Sequence, residues 1–153
     1  MKYIDAVVIG GGPAGLSAAI QTSRAGLKTL VIEKIAPGGN LTKIKHSDNY
    51  PGYPLLINPL DLGIKMYNQT LKFGAKIIYP EKVVGLNLKN FVKVVKCKGG
   101  EDKGYSITIA TGRKKGEIKY EGEAELIALS QLAIKVYVIM EDPFQKLINE
   151  ISK

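Results

Sequence analysis

The apolar residues of the first third of the chain come in two tight runs separated by an amphipathic stretch. The first run ends at Ile9 and the second spans Leu27–Ile32. Both are short and continuous, the pattern of strands buried on both faces of a parallel sheet. Between them, 14–25 carries Leu16, Ala19 and Ile20 at helical spacing, facing the sheet, and Gly26 is a C-terminal stop. A long stretch rich in Gly, Pro, Asn and Tyr follows over 36–58. Ordered loops of that length in compact domains usually carry function. Asn58 predicts an N-cap, with Pro59 and Asp61 in the first turn. Leu60, Ile64, Tyr67 and Leu71 recur at helical spacing as the apolar face, and Gly74 closes the helix.

Residues 75–79 predict a third parallel strand. Residues 83–88 and 91–97 predict a hairpin, and Gly99-Gly100 turns the chain into a strand over 105–111. Lys89, Lys93, Lys96 and Lys98 read as the wet face of this meander. Beyond it, 122–132 reads as helix, 135–140 as strand and 143–151 as a final amphipathic helix. The fold class is therefore α/β: a Rossmann-like βαβ core with a parallel sheet and a three-stranded antiparallel β-meander.

The length of 153 residues fits one domain with a real core. The net charge of +8 is nearly all lysine, arginine standing only at Arg24 and Arg113. The lysines are scattered and no arginine cluster accompanies them, so the charge reads as solvated surface with an attraction for anionic ligands, and nucleic acid is not expected as a partner. No stretch reaches the roughly 20 apolar residues of a membrane span, and no signal peptide opens the chain. One cysteine, Cys97, leaves no internal disulfide and no Cys-x-x-Cys pair. It reads as a small packing residue in a reducing compartment, and a cytoplasmic setting is the expectation.

The turn between the first strand and the helix carries the chemistry. Gly10, Gly12 and Gly15 stand at G-x-G-x-x-G spacing. Gly10 allows the tight turn out of the strand. Gly12, without a Cβ, lets a pyrophosphate approach the backbone. Gly15 lets the helix pack closely on the strand. Pro13 suits the first helical turn, and the free N–H groups there face phosphate oxygens. Glu33 ends the second strand, placed to accept hydrogen bonds from ribose hydroxyls. A plain structural turn explains neither the three glycines nor the acid, so the residues point to a dinucleotide-type ligand.

Further motifs extend this picture. Ala36-Pro37-Gly38-Gly39-Asn40-Leu41-Thr42 resembles the PGGQLT loop of the low-molecular-weight thioredoxin reductases. Asp48-Asn49-Tyr50-Pro51-Gly52 is similar to their ENYPG segment, Lys65-Met66-Tyr67 and Lys72-Phe73-Gly74-Ala75 to their next helix and strand, and Ile109-Ala110-Thr111-Gly112 to their ATG motif. Gly122-Glu123-Ala124-Glu125-Leu126 resembles their PGEKEL segment. The resemblance covers residues 1–126 and implies the N-terminal part of an FAD domain.

By that resemblance, Gly10, Gly12, Pro13, Ala14 and Gly15 would hold the FAD pyrophosphate and Glu33 the adenosine ribose. Gly39, Asn40, Leu41 and Thr42 would line the ribityl chain and flavin, with Asn49 near the isoalloxazine ring. Val83 would meet the adenine through its backbone, and Ala110, Thr111 and Gly112 would close over the nucleotide. Asn40 is one methylene shorter than the family's glutamine. No residue is assigned a catalytic or metal-binding role.

The family's NADPH-binding domain and its Cys-x-x-Cys have no counterpart in these residues. Val138 and Glu141 stand where the two cysteines would be, so flavin–dithiol exchange is excluded here. Residues 136–141 align equally with the family's later VYAAGD strand. In that alignment a right-handed crossover through 122–132 would lay them on an open sheet edge. His46 reads as a surface histidine, with a flavin proton donor as the other reading. Tyr50 and Tyr53 read either as flavin shields or as loop packing. The resemblance implies an FAD flavoprotein with an oxidoreductase or electron-transfer role, its electrons coming from a partner redox protein, and a possible homodimer. The alternative is a non-catalytic, truncated remnant or interaction module with weak nucleotide binding.

Overall fold

A computed structural model describes residues 3–47, 50–53, 55–112, 119–121, 127–128 and 137–139, with side chains described as far as 112. The elements follow in the order β1 (Ile4–Ile9), α1 (Pro13–Arg24), β2 (Thr29–Ile32), a 3-10 helix (Gly39–Lys43), α2 (Pro59–Lys72), β3 (Lys76–Ile78), β4 (Val83–Asn87), β5 (Lys93–Cys97) and β6 (Gly100–Ile109). The short strands β7 (Lys119–Glu121), β8 (Ile127–Ala128) and β9 (Tyr137–Ile139) complete them.

The sheet runs β3-β2-β1-β6-β5-β4-β7. β3, β2, β1 and the second half of β6 are parallel. The first half of β6 pairs antiparallel with β5, and β5 with β4. One long strand thus serves both the parallel core and the meander. Along β1 and β2 the side chains alternate between two buried clusters. Val7, Ile9, Leu30 and Ile32 pack with Val83, Leu86, Val95 and Ile107 on the meander side. Val8 and Val31 face the other way, onto Ala19 and Ala75. This is the period-2 geometry of a strand covered on both faces, and it explains why the runs in the sequence are continuous.

Helix α1 starts one residue ahead of the expected position, on Pro13, and buries Leu16, Ala19 and Ile20 as expected. Gly26 takes φ +81°, the left-handed conformation of a helix stop. Helix α2 is capped by the Asn58 side chain, whose Oδ1 accepts from the Leu60 amide at 3.0 Å.

Its buried face is not the expected one. Leu62, Gly63, Met66 and Thr70 are buried, whereas Leu60, Ile64 and Leu71 are exposed. Leu62 and Met66 join Leu16 and Ile57 in a third cluster. A Cβ on Gly63 would stand 3.4 Å from the Gly38 Cα, so a small residue lets the helix settle on the preceding loop by this face.

Three further expectations are corrected. Lys93 is 1 % exposed, not on the wet face; its Nζ folds back to donate to the carbonyls of Asn90 at 3.0 Å and Phe91 at 3.4 Å. The last meander strand starts at Gly100, five residues earlier than expected, because 100–104 pair with β5. The helix expected over 122–132 is contradicted at Ile127–Ala128, which form a strand against β9.

β9 falls within the strand expected over 135–140 and lies on β6, but antiparallel to it, so no right-handed crossover forms. A β8–β9 pair brings the chain back to the edge in the reverse direction. Asn49, Glu141 and the helix expected over 143–151 lie outside the described residues. Among the described residues no helix is long and apolar enough to cross a membrane, and no cluster of His, Cys, Asp and Glu could hold a metal ion.

Candidate functional site

The C-terminal ends of β1, β2 and β6 meet where the chain leaves β1 toward β2 on one side and β6 lies on the other. In an open parallel sheet this is the place where ligands bind. Gly10 carries the chain out of β1 with φ +106°. A Cβ there would collide with the Ala110 carbonyl oxygen, while the Ala110 amide donates to the Ile9 carbonyl at 2.8 Å and the Gly10 amide to the Ile32 carbonyl at 2.9 Å. The turn is thus locked between β2 and β6.

Gly15 is as closely set: a Cβ would overlap the Gly10 carbonyl oxygen and stand 3.3 Å from a Val8 methyl. Gly12 is different. Among the described residues, chain neighbours aside, the sole atom within 4 Å of its imagined Cβ is the Gly39 Cα at 3.8 Å. Two glycines of the motif are therefore closed by the fold, and the middle one opens onto free space.

That space sits over the start of α1. Gly12 caps the helix in an extended conformation, Pro13 occupies the first turn and no side chain caps the end. The Leu16 amide takes the Gly12 carbonyl at 2.9 Å. The earlier turn amides and the positive end of the helix dipole are available to an anion.

Glu33 closes the other side. Its Oε2 accepts from the Gly11 amide at 2.6 Å and its Oε1 from the Ile35 amide at 2.8 Å. Each carboxylate oxygen keeps a further lone pair for a ligand hydroxyl. The Glu81 amide donates to the Glu33 carbonyl at 2.8 Å, which brings the segment entering Val83 beside the acid. The Val83 side chain is in the core, leaving its backbone as the part a ligand can meet.

The 3-10 helix supplies the third wall. The Gly38 amide donates to the Gly11 carbonyl at 2.7 Å, and a Cβ on Gly39 would stand 2.8 Å from the Gly12 Cα. Gly39, with φ +54°, is thus pressed against the open glycine. Asn40 is exposed and reaches toward Gly112, its Nδ2 lying 3.9 Å from where a Gly112 Cβ would be. Leu41 instead turns inward to the Leu16 cluster. The Thr42 hydroxyl donates to the Gly39 carbonyl at 2.9 Å. Ala110 is buried, while Thr111 and Gly112 are exposed at the rim.

Gly10, Gly12, Pro13, Ala14, Gly15, Glu33, Gly39, Asn40, Ala110 and Gly112 are thereby grouped at the C-terminal ends of β1, β2 and β6; the Leu41 side chain turns into the core and the Thr42 hydroxyl to the Gly39 carbonyl. Gly11 and Gly38 belong to the site and escape a sequence reading. The variable positions of a glycine motif carry no signal of their own, and their bonds are made by backbone atoms to partners far along the chain. His46 is exposed. Tyr50 and Tyr53 pack on each other, ring centroids 5.8 Å apart, with Lys65 over Tyr53. Burial pushes the Cys97 thiol up to about 11, helped by the nearby Glu81 and Asp102 charges, so it is not a thiolate at neutral pH.

Comparison with known proteins agrees with this geometry. The FAD binding domain family pattern matches residues 5–44. A thioredoxin reductase of Bacillus subtilis is 40% identical over 125 residues, which cover 82% of this chain and 39% of the relative. One of Treponema pallidum is 37% identical over 123 residues. Among solved structures, the thioredoxin reductase of Streptococcus pyogenes superposes with a TM-score of 0.70 at 35% identity, covering 73% of this chain and 36% of that one. That of Lactococcus lactis does so with a TM-score of 0.68 at 36% identity. The chain spans about two-fifths of the length of the curated relatives it matches.

Proposed function

As a relative of the thioredoxin reductases over 82% of its length, the chain carries an FAD-binding fold, and we propose that it holds FAD in the crevice at the ends of β1, β2 and β6 as a redox flavoprotein. The observation that carries this reading is the contrast among the glycines: Gly10 and Gly15 are closed by the fold, while Gly12 faces open space at an uncapped helix start. Such a cradle fits a pyrophosphate, which takes backbone amides and a helix dipole as partners.

In this reading the amides of Gly12, Ala14 and Gly15 hold the pyrophosphate, with Pro13 setting the first helical turn. Glu33, fixed by Gly11 and Ile35, accepts from the ribose hydroxyls. The backbone at Val83 meets the adenine, Thr111 and Gly112 close over the nucleotide, and Asn40 lies at the flavin end. FAD supplies the electron-transfer chemistry when bound. The protein's share is binding and orientation. These 153 residues hold one cysteine, and its thiol stays protonated at neutral pH. The electrons therefore come from a reductant outside these residues, a redox protein being the partner this reading calls for. A cytoplasmic setting fits it.

The test is the visible absorption spectrum of the purified chain before and after incubation with FAD and desalting. Retained bands of an oxidised, bound flavin support the reading. A colourless protein that retains no FAD overturns it. A narrower reading has its own observation: Glu33 at the ADP half is fixed by two backbone amides, whereas Asn40 at the flavin half is exposed. In that case the chain binds ADP as tightly as FAD, and titration calorimetry with each ligand separates the two.

A further inference from the structure

Helices α1 and α2 pack on each other, and a second cleft, of about 270 Å³, opens between them. Its lining is sorted by depth. Ile20 of α1 and Leu62 and Met66 of α2 are buried and make the floor. Ser17 and Gln21 stand one turn apart on α1, Lys65 and Gln69 one turn apart on α2; all four are exposed and make the two rims. The Tyr50 and Tyr53 rings, 5.8 Å apart and tilted by 57°, add an aromatic wall.

The rims offer donors. Gln21 Oε1 already accepts from Arg24 Nη1 at 3.3 Å, which leaves the N–H groups of that amide as what it can present to a ligand. The Ser17 hydroxyl can donate as well. Lys65 holds its Nζ 5.7 Å from the Tyr53 ring centroid, and among the described residues no acid lines the cleft. A lone ammonium helped by neutral donors matches one negative charge.

The floor and wall select the rest of the ligand. Aliphatic side chains, a thioether and two phenol rings favour a flat apolar body, since aromatic rings meet one another offset or edge-on and sulfur sits well at a ring edge. Ligand sites run from roughly 300 to 1,000 Å³, so a cleft of about 270 Å³ takes one ring and not a dinucleotide.

We infer that the α1–α2 cleft is a second binding site, for a small aromatic carboxylate. The ring lies on Ile20, Leu62 and Met66 beside the tyrosines, and the carboxylate sits at the rim between Lys65 and Gln21. The cleft shares no lining residue with the cofactor crevice, so this site stands or falls independently of FAD.

Proton–nitrogen correlation spectra of the full chain at neutral pH test it, with benzoate as the probe, benzamide as its neutral isostere and acetate as the anion without a ring. Benzoate shifts the amides of 17–21 and 62–69 saturably, with the same dissociation constant whether or not FAD is present. Benzamide and acetate each bind about tenfold more weakly, for want of the charge or of the ring. Lys65→Met keeps the stem and removes the charge; it lowers benzoate affinity to that of benzamide and leaves benzamide binding as it was, a split that a folding defect does not produce. Lys65→Arg retains the benzoate preference. Ser17→Phe, at an exposed position, fills the cleft and abolishes the shifts with an unchanged melting temperature. Equal affinities for benzoate and benzamide, benzoate binding undiminished in Lys65→Met, shifts confined to residues 10–15 and 33, or no saturable shift at all overturn the proposal.

Discussion

Glu33 and Gly11 stand 22 positions apart and are joined by a 2.6 Å hydrogen bond from the Gly11 amide to Glu33 Oε2. With the Ile35 amide on the other oxygen, the carboxylate is held in place before any ligand arrives. Glu33→Gln offers an amide in place of one oxygen. Whichever way it turns, its NH₂ faces one of two backbone donors, and a ligand hydroxyl loses an ionised acceptor. Hydrogen bonds to a charged group contribute about 1.5–3 kcal/mol, so FAD and ADP affinity should fall by roughly ten- to a hundredfold. Titration calorimetry on both ligands checks this. An unchanged affinity for both removes Glu33 from the site.

The glycine contrast separates binding from folding. Gly12→Val introduces a side chain where, among the described residues beyond its chain neighbours, only the Gly39 Cα lies near, in an extended conformation that valine accepts. The fold should keep its melting temperature to within a few degrees, while FAD retention after desalting is lost. Gly15→Ala drives a methyl into the Gly10 carbonyl, and overpacking of this kind costs about 1–3 kcal/mol. Its melting temperature should drop whether or not a ligand is present. If Gly12→Val retains stoichiometric FAD, the pyrophosphate does not lie over Gly12.

What could be read in advance follows from how local each signal is. The glycine turn, Pro13, Asn58 and Gly26 act within one or two residues of their place in the chain, and all four stand in the structure as expected. The runs of β1 and β2 were legible because strands buried on both faces leave no polar alternation to misread. The bonds from Gly11 and Gly38 depend on which segments the fold brings together, and no spacing announces them. For α2, two apolar stripes compete, and the buried one contains Gly63 and Thr70, so the more hydrophobic stripe reads as the core face. Lys93 looks solvated by type but has two turn carbonyls within reach of its amine.

That amine yields a third test. Lys93 is 1 % exposed, its four-carbon stem is packed within the meander, and its Nζ serves the Asn90 and Phe91 carbonyls at the turn between β4 and β5. Lys93→Met keeps the stem's apolar volume and removes both donations. Asn90 and Phe91 are themselves exposed, so water can reach their carbonyls, and the expected loss is the net worth of a hydrogen bond, about 0.5–1.5 kcal/mol each. The urea midpoint should fall accordingly, with FAD binding to the folded protein unaffected because the turn is remote from the crevice. A midpoint equal to that of the parent would mean that water replaces the amine without loss.

Cys97 provides the pH test. Burial first, then the charges of Glu81 and Asp102, raise its thiol from the ordinary 9.0 to about 11. Since the folded chain holds the proton more tightly than the unfolded one, this group's contribution to stability is fully present below pH 9.0 and is lost as pH rises through about 11. Two consequences are measurable. Alkylation by iodoacetamide in the native protein should accelerate with a midpoint near 11, against one near 9.0 in urea. At neutral pH the native thiolate population should be about a hundredfold smaller than that of an unfolded thiol. Asp102→Asn removes one of the two flanking charges and should shift the native midpoint downward, while leaving most of the elevation, because burial is its larger cause. A native midpoint near 9.0 would show that the thiol is wetter than its place in β5 implies, and a thiol that accessible would regain a possible part in redox exchange.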